Sequence, residues 1–477
     1  MPNLTAFGAT EYMDGALTLP VLNELFLRGA PSCGRGRPLR GRGVHPNDSD
    51  QDSEEEERER RRECKDLEAV DLTGCVSAVF VHALTEFVNA HLLAHADVEM
   101  HEDGHNNSRP SLAVRFHEEP PIFPGLLRLG LRGVKSIMPR ILTPFVLAFP
   151  SLTHLDLSGT RATPELLYAL GESSTVRLQS LALARCIKLD STSIKALLIE
   201  SPVTRALKEL NLYGDVTFRS PLLEDDLRDI ITMAPCFLSG DLVYLDISSA
   251  PVTPDVLLKG CRLQPKLRSL GLSHIADLKL ETIAEFLQNR APNVEILTLI
   301  GTSPELDCGM RRTNDDRLRG SSRQSSIALH THLIRPLCTP PFSFSLSMAS
   351  HTPPPPLTRL RVIELSTIML GGLGAGAGAW RIVRSKGGRG WYVDTASAWV
   401  AESGSGEGSV LRRDLEPKHP YRTEMEKLSK ANGNVSSGIG WHARKMEVSW
   451  RLGLLHSTLM AIYLMLLDFT WTWHAGA

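Results

Sequence analysis

Aromatic residues are scarce in this 477-residue chain, at 6%, so any core must be filled by leucine and its aliphatic relatives. Eight cysteines are scattered without paired spacing, which excludes a disulfide framework and the usual zinc modules. No charged-then-apolar leader follows Met1. A cytoplasmic or nuclear protein is therefore expected. The formal net charge of −2 gives no global attraction to nucleic acid or anionic lipid. The apolar run Leu452–Leu467 spans 467 − 452 + 1 = 16 residues, short of the roughly 20 needed to cross a bilayer. Neither a membrane nor a nucleic acid is an expected partner.

Signatures of chemistry are equally thin. The chain has no phosphate loop and no serine-hydrolase elbow. His101-Glu102-Asp103-Gly104-His105 fits the HExxH pattern literally, but that pattern works only on a helix, and Asp-Gly forms turns. His91 and His95, four apart, together with His82, read as surface histidines. Gly374 to Ala379 with Asp394 imitates a dinucleotide fingerprint, yet no second βα unit follows. We therefore expect no enzyme activity, no catalytic residues, no metal, no cofactor and no small-molecule substrate.

What is present is a repeat. The pattern Leu-x-x-Leu-x-Leu, with conservative exchanges, recurs around Leu129, Leu155, Leu181, Leu210, Leu245, Leu270 and Leu297. Weaker copies surround Val70 and Ile363. Spacings between these middle residues are 26, 26, 29, 35, 25 and 27. Alternation over each triplet predicts a short strand with leucines inward. Thr163-Pro164 and Thr253-Pro254 place a cap residue before a first-turn proline, so helices should follow the strands. No single unit can bury both of its faces, and stacking must supply the core.

Leu178 through Cys186, followed by Leu189-Asp190 and Ile194, resembles the cysteine-containing class of leucine-rich repeats, and Leu67 through Cys75 matches the same template. That class is frequent in the substrate-binding part of F-box proteins of ubiquitin ligases and in ribonuclease-inhibitor-like (RNI-like) scaffolds. The resemblance implies an α/β solenoid, curved, with strands on the concave face and helices outside. No F-box is recognisable; Leu19-Pro20 is the only hint of one. Thr160, Asp215 and Ala250 stand where the class places cysteine or asparagine.

The expected organisation is a partial or degenerate repeat over 1–31, a disordered charged linker over 32–66, the solenoid over 67–300 and a disordered insertion over 301–356. A terminal repeat strand at 357–370, a small irregular region over 371–448 and an apolar tail over 449–477 follow. The linker holds the arginine–glycine stretch Arg35 to Arg42 and the block Glu54–Glu57.

Function is expected on the concave face, where residues between the repeat leucines form columns across repeats. Tyrosine and arginine dominate interaction hot spots, so His154, Asp156, Tyr213, Tyr244, Asp246 and Arg268 are the candidate partner-binding residues. The reading is a protein-recognition scaffold, with substrate recognition related to F-box subunits as its concrete form. The alternative is an RNI-like regulator of a nucleic-acid or GTPase-linked partner.

Overall fold

A computed structural model describes residues 6–9, 12–27, 67–93, 123–306, 324–339, 358–384, 390–394, 399–402 and 409–412. Its centre is a sheet of twelve strands in the order β1 to β10, then β12, then β11. The strands are β1 (Ala6–Gly8), β2 (Ala69–Asp71), β3 (Arg128–Gly130), β4 (His154–Asp156), β5 (Ser180–Ala182), β6 (Glu209–Asn211), β7 (Tyr244–Asp246), β8 (Ser269–Gly271), β9 (Ile296–Thr298), β10 (Val362–Glu364), β11 (Trp380–Arg384) and β12 (Gly390–Asp394). β1 to β10 are parallel neighbours in chain order. β11 and β12 close the sheet as an antiparallel hairpin against β10. A separate hairpin joins β13 (Trp399–Glu402) and β14 (Ser409–Arg412).

Every middle residue of the repeated triplet lies at the centre of a strand, and Leu129, Leu155, Leu210, Leu270 and Leu297 are fully buried. Register is exact from strand to strand, with Leu155 opposite Leu129 and Leu181. Parallel neighbours need a crossover, and helices supply it between most strands: Pro139–Leu147, Pro164–Gly171, Ser191–Ile199, Glu224–Met233 and Leu280–Asn289. Thr163 stands at the N-terminal cap position, without a capping side-chain hydrogen bond, and Pro164 opens the helix as the sequence predicts. After Pro254 the helix runs into a wider turn over Val256–Gly260. The architecture is a solenoid-like α/β fold in which one continuous core joins all ten parallel strands to the helices.

The edges depart from uniformity. At the start, β1 and the helix Leu19–Phe26 precede β2, and Phe26 packs with Phe87, Phe123, Phe145 and Phe149 at ring distances of 5.5–6.0 Å. Five of the chain's 14 phenylalanines meet in this one cluster. Toward the end, residues 324–338 are helical, which corrects the expectation of a disordered insertion across 301–356. Leu329, Leu333, Ile334 and Leu337 are buried there at helical spacing. The polar and proline-rich flanks mask that short apolar stripe when the sequence is averaged. His330 Nε2 lies 3.0 Å from Tyr392 Oη, tying this helix to the terminal hairpin. The linker at 32–66, the His101–His105 motif and the tail from 449 lie outside the described residues. No helix among the described residues is long and apolar enough to cross a membrane.

Candidate functional site: the open sheet face and its rim

Alternation sends the residues flanking each middle leucine to the sheet face away from the core. The position after the leucine runs Asp71, Gly130, Asp156, Ala182, Asn211, Asp246, Gly271, Thr298, Glu364 along successive strands. Four of its polar members, Asp71, Asp156, Asn211 and Asp246, share one role. A side-chain oxygen accepts a hydrogen bond from the backbone N–H two residues on: Thr73 to Asp71 at 3.0 Å, Ser158 to Asp156 at 2.8 Å, Tyr213 to Asn211 at 3.1 Å and Ser248 to Asp246 at 3.0 Å. The ends of β2, β4, β6 and β7 are thereby capped by their own column residues.

The glycines in this column have a reason. A Cβ on Gly271 would lie 2.4 Å from the Asp246 carboxyl, and one on Gly130 would lie 2.7 Å from that of Asp71. The aspartates lean across the next strand, and glycine leaves them room. Asp246 also accepts a 3.0 Å hydrogen bond from the Tyr244 hydroxyl. Burial, reinforced by the Asp246 carboxylate, pushes the Tyr244 phenol well above its ordinary range, so it remains a donor.

The six sequence-derived candidates therefore separate. Tyr244 and Asp246 form a bonded pair on β7 and are buried. His154 and Asp156 sit on β4, also buried, three strand spacings or roughly 14 Å away. His154 Nδ1 lies 2.8 Å from Thr153 Oγ1. Arg268 enters at the start of β8 and donates to Glu295 at 2.9 Å. Tyr213 follows the end of β6, so it and Arg268 lie at opposite ends of the strands rather than in one patch. Strand direction fixes which rim each residue occupies, so Arg268 stands apart from Tyr213.

At the rim beyond the strand ends a second ladder runs. The N–H of the fourth residue after each middle leucine donates to the carbonyl preceding its equivalent in the next repeat: Gly74 to Arg132, Gly133 to Ser158, Gly159 to Ala184, Arg185 to Tyr213, Gly214 to Ser248, Ser249 to Ser273 and His274 to Ile300. Most of these donors are left-handed, with φ between 57° and 79°. Glycine is the usual choice, yet Arg185, Ser249 and His274 accept the strain. Strained non-glycine residues concentrate at functional sites.

Two of the three, Arg185 and His274, meet Tyr213. The Arg185 guanidinium sits 5.4 Å from the centre of the Tyr213 ring and pairs with Asp215. His274 meets that ring edge-on, 6.5 Å between centres. Burial lowers the His274 pKa, with Asp215 and Asp246 opposing and Arg185 adding to the effect. Burial raises the Tyr213 phenol, and Arg185 offsets part of that. The Asp215 carboxyl ends below its usual range, its partial burial being outweighed by the N–H groups of Phe218 and Thr217 and by Arg185.

Arg185, Ser249 and His274 were missed, and Asp215 was noted only as a departure from the repeat template, because the repeats were aligned on the strand and not on the turn after it. Stacking the repeats on the left-handed position, where Gly74, Gly133, Gly159 and Gly301 agree, exposes the three exceptions. Thr160, noted as a departure from the repeat template, donates to the Leu157 carbonyl at 2.7 Å, the same carbonyl that Cys186 Sγ reaches at 3.0 Å. No group of three or more potential metal ligands occurs among the described residues. No family model and no curated protein sequence matches the chain.

Proposed function

We propose that this chain is a leucine-rich-repeat recognition scaffold that binds a protein partner through the rim centred on Tyr213, in the manner of a substrate-recognition subunit related to F-box proteins. The observation that carries the reading is the cluster of Arg185, Tyr213 and His274, in which Arg185 and His274 hold left-handed positions where glycine would be less strained. Tyrosine and arginine offer large contact areas at small entropic cost. The buried pair Tyr244–Asp246 acts behind them by fixing the strand ends. The scaffold would work in the cytoplasm or nucleus.

The test is affinity purification of the tagged full chain from its native cells, followed by Tyr213→Ala in the same assay. Recovery of a cullin adaptor with further proteins that are lost in the variant supports the reading. Loss of affinity for a purified partner should be about 2 kcal/mol. An unchanged set of partners, with unchanged affinities, would overturn it.

A further inference from the structure

β3 to β6 are parallel and in register, so the loops that follow them leave at one edge. Rungs of 2.7 Å from Gly133 to Ser158, 2.7 Å from Gly159 to Ala184 and 3.0 Å from Arg185 to Tyr213 hold these loops side by side. Residues 131–138, 157–163, 183–190 and 212–223 carry Arg132, Lys135, Arg161, Arg185, Lys188 and Arg219 against Asp190 and Asp215, a balance of 6 − 2 = +4 in a chain of net −2. All six basic residues are exposed. Both acids are engaged by the fold: Asp190 accepts the Ser193 N–H at 2.8 Å, and Asp215 accepts Phe218 N–H at 2.7 Å and pairs with Arg185.

The excess is confined to these four loops. Residues 73–77 and 248–254 are uncharged, and in 273–279 Asp277 cancels Lys279 apart from His274. Within the edge, charge and apolarity are sorted. The sixth residue after each middle leucine runs Lys135, Arg161, Ile187, Val216 across adjacent repeats. Ile187 is 65% exposed and Val216 72%, with Phe218 beside them at 41%. A cationic half thus passes into an apolar half over three strand spacings, roughly 14 Å, which four or five extended residues span.

We propose that this edge docks an acidic protein segment whose carboxylates meet Lys135 and Arg161 and whose apolar side chains cover Ile187, Val216 and Phe218. A protein segment fits better than a nucleic acid, because the two most exposed apolar side chains, Ile187 and Val216, are aliphatic and offer bases no stacking platform, which leaves Phe218 alone where successive bases need successive rings. The inference rests on the scaffold reading above and places part of the partner on the loop edge next to Tyr213.

The experiment uses the full chain and three labelled probes: a peptide of four Asp/Glu residues continuing into Leu-Phe-Leu, an all-acidic peptide of equal charge, and oligothymidylate. The mixed peptide should bind more tightly than either other probe. Lys135→Glu with Arg161→Glu should weaken it about tenfold or more and flatten its salt dependence. Ile187→Ser with Val216→Ser should weaken it about fivefold or more while the salt dependence stays. All four side chains are exposed, so melting curves should be unchanged and serve as the folding control. No binding of the mixed peptide, equal binding by the charge-reversed chain, or tighter binding of oligothymidylate would each overturn the proposal. If the charge-reversed chain still recovers its cellular partners, this edge fails as the docking site while the scaffold reading stands.

Discussion

At the left-handed rim position the cost of a side chain can be read one residue at a time. Ser249 has φ 64° and only a 3.5 Å contact from its hydroxyl to the Asp215 carbonyl. Ser249→Gly should therefore raise stability, by about 0.5–1 kcal/mol once glycine's greater chain entropy is subtracted. Gly159→Ala should do the opposite, losing about 1 kcal/mol through φ alone, since the nearest atom to its Cβ would be an unstrained 3.6 Å away. Urea midpoints of the two variants measure both signs. His274 adds a pH dependence. Its folded pKa lies below 6.5, so the unfolded chain takes up the proton first, and its contribution is complete above pH 6.5 and fades as pH falls through the folded value. His274→Asn, which tolerates the left-handed backbone, should shrink the loss of urea midpoint between about pH 7.5 and about pH 5.5. An equal loss in both proteins would show that His274 is not the group responsible.

At the scale of the element, the strand ends depend on a neighbour's lack of a side chain. Gly271→Ala puts a Cβ against the Asp246 carboxyl, which must swing away from both the Ser248 N–H and the Tyr244 hydroxyl. We expect a loss of about 1–3 kcal/mol, as for overpacking, and Asp246→Ala combined with Gly271→Ala should cost less than the sum of the singles. Strict additivity would show that the contact does not restrain this strand end. The longest spacing, 35 residues, has a local cause as well. The turn at Asp215 folds back so closely that a Cβ on Gly214 would lie 2.5 Å from Ser220 N, and an extra short helix, Pro235–Ser239, follows Glu224–Met233.

Across the whole molecule, each repeat is stabilised by the next, so damage should spread. Leu210 is fully buried between Leu181 and Leu245 in the strand register. Leu210→Asp should cost several kcal/mol, comparable with the stability of a domain, and expose both adjoining repeats. Hydrogen exchange that rose only within residues 207–212 would contradict that coupling. The thiols report the same cooperativity. Burial pushes Cys75, Cys186, Cys236, Cys261 and Cys338 up to about 12. At neutral pH the four buried thiols, Cys75, Cys186, Cys236 and Cys261, should resist iodoacetamide and become labelled together with unfolding, which mass spectrometry of the cysteine peptides would follow.

By itself the sequence determined where the strands lie, because Leu-x-x-Leu-x-Leu demands one face inward and recurs often enough for stacking to be the only route to a core. It also singled out Tyr213 as a candidate through its chemistry and its place after a strand. The tertiary structure decided what the other polar residues do. Asp156 and Asp246 read as a charged surface in one dimension, but their carboxylates cap the backbone two residues on, a local bond that periodicity does not encode. The rim cluster appears only when repeats of 25 to 35 residues are brought within a strand spacing of one another. Arg185 and Asp215 are 30 positions apart in the chain and in contact at the rim, because parallel stacking converts sequence period into spatial adjacency.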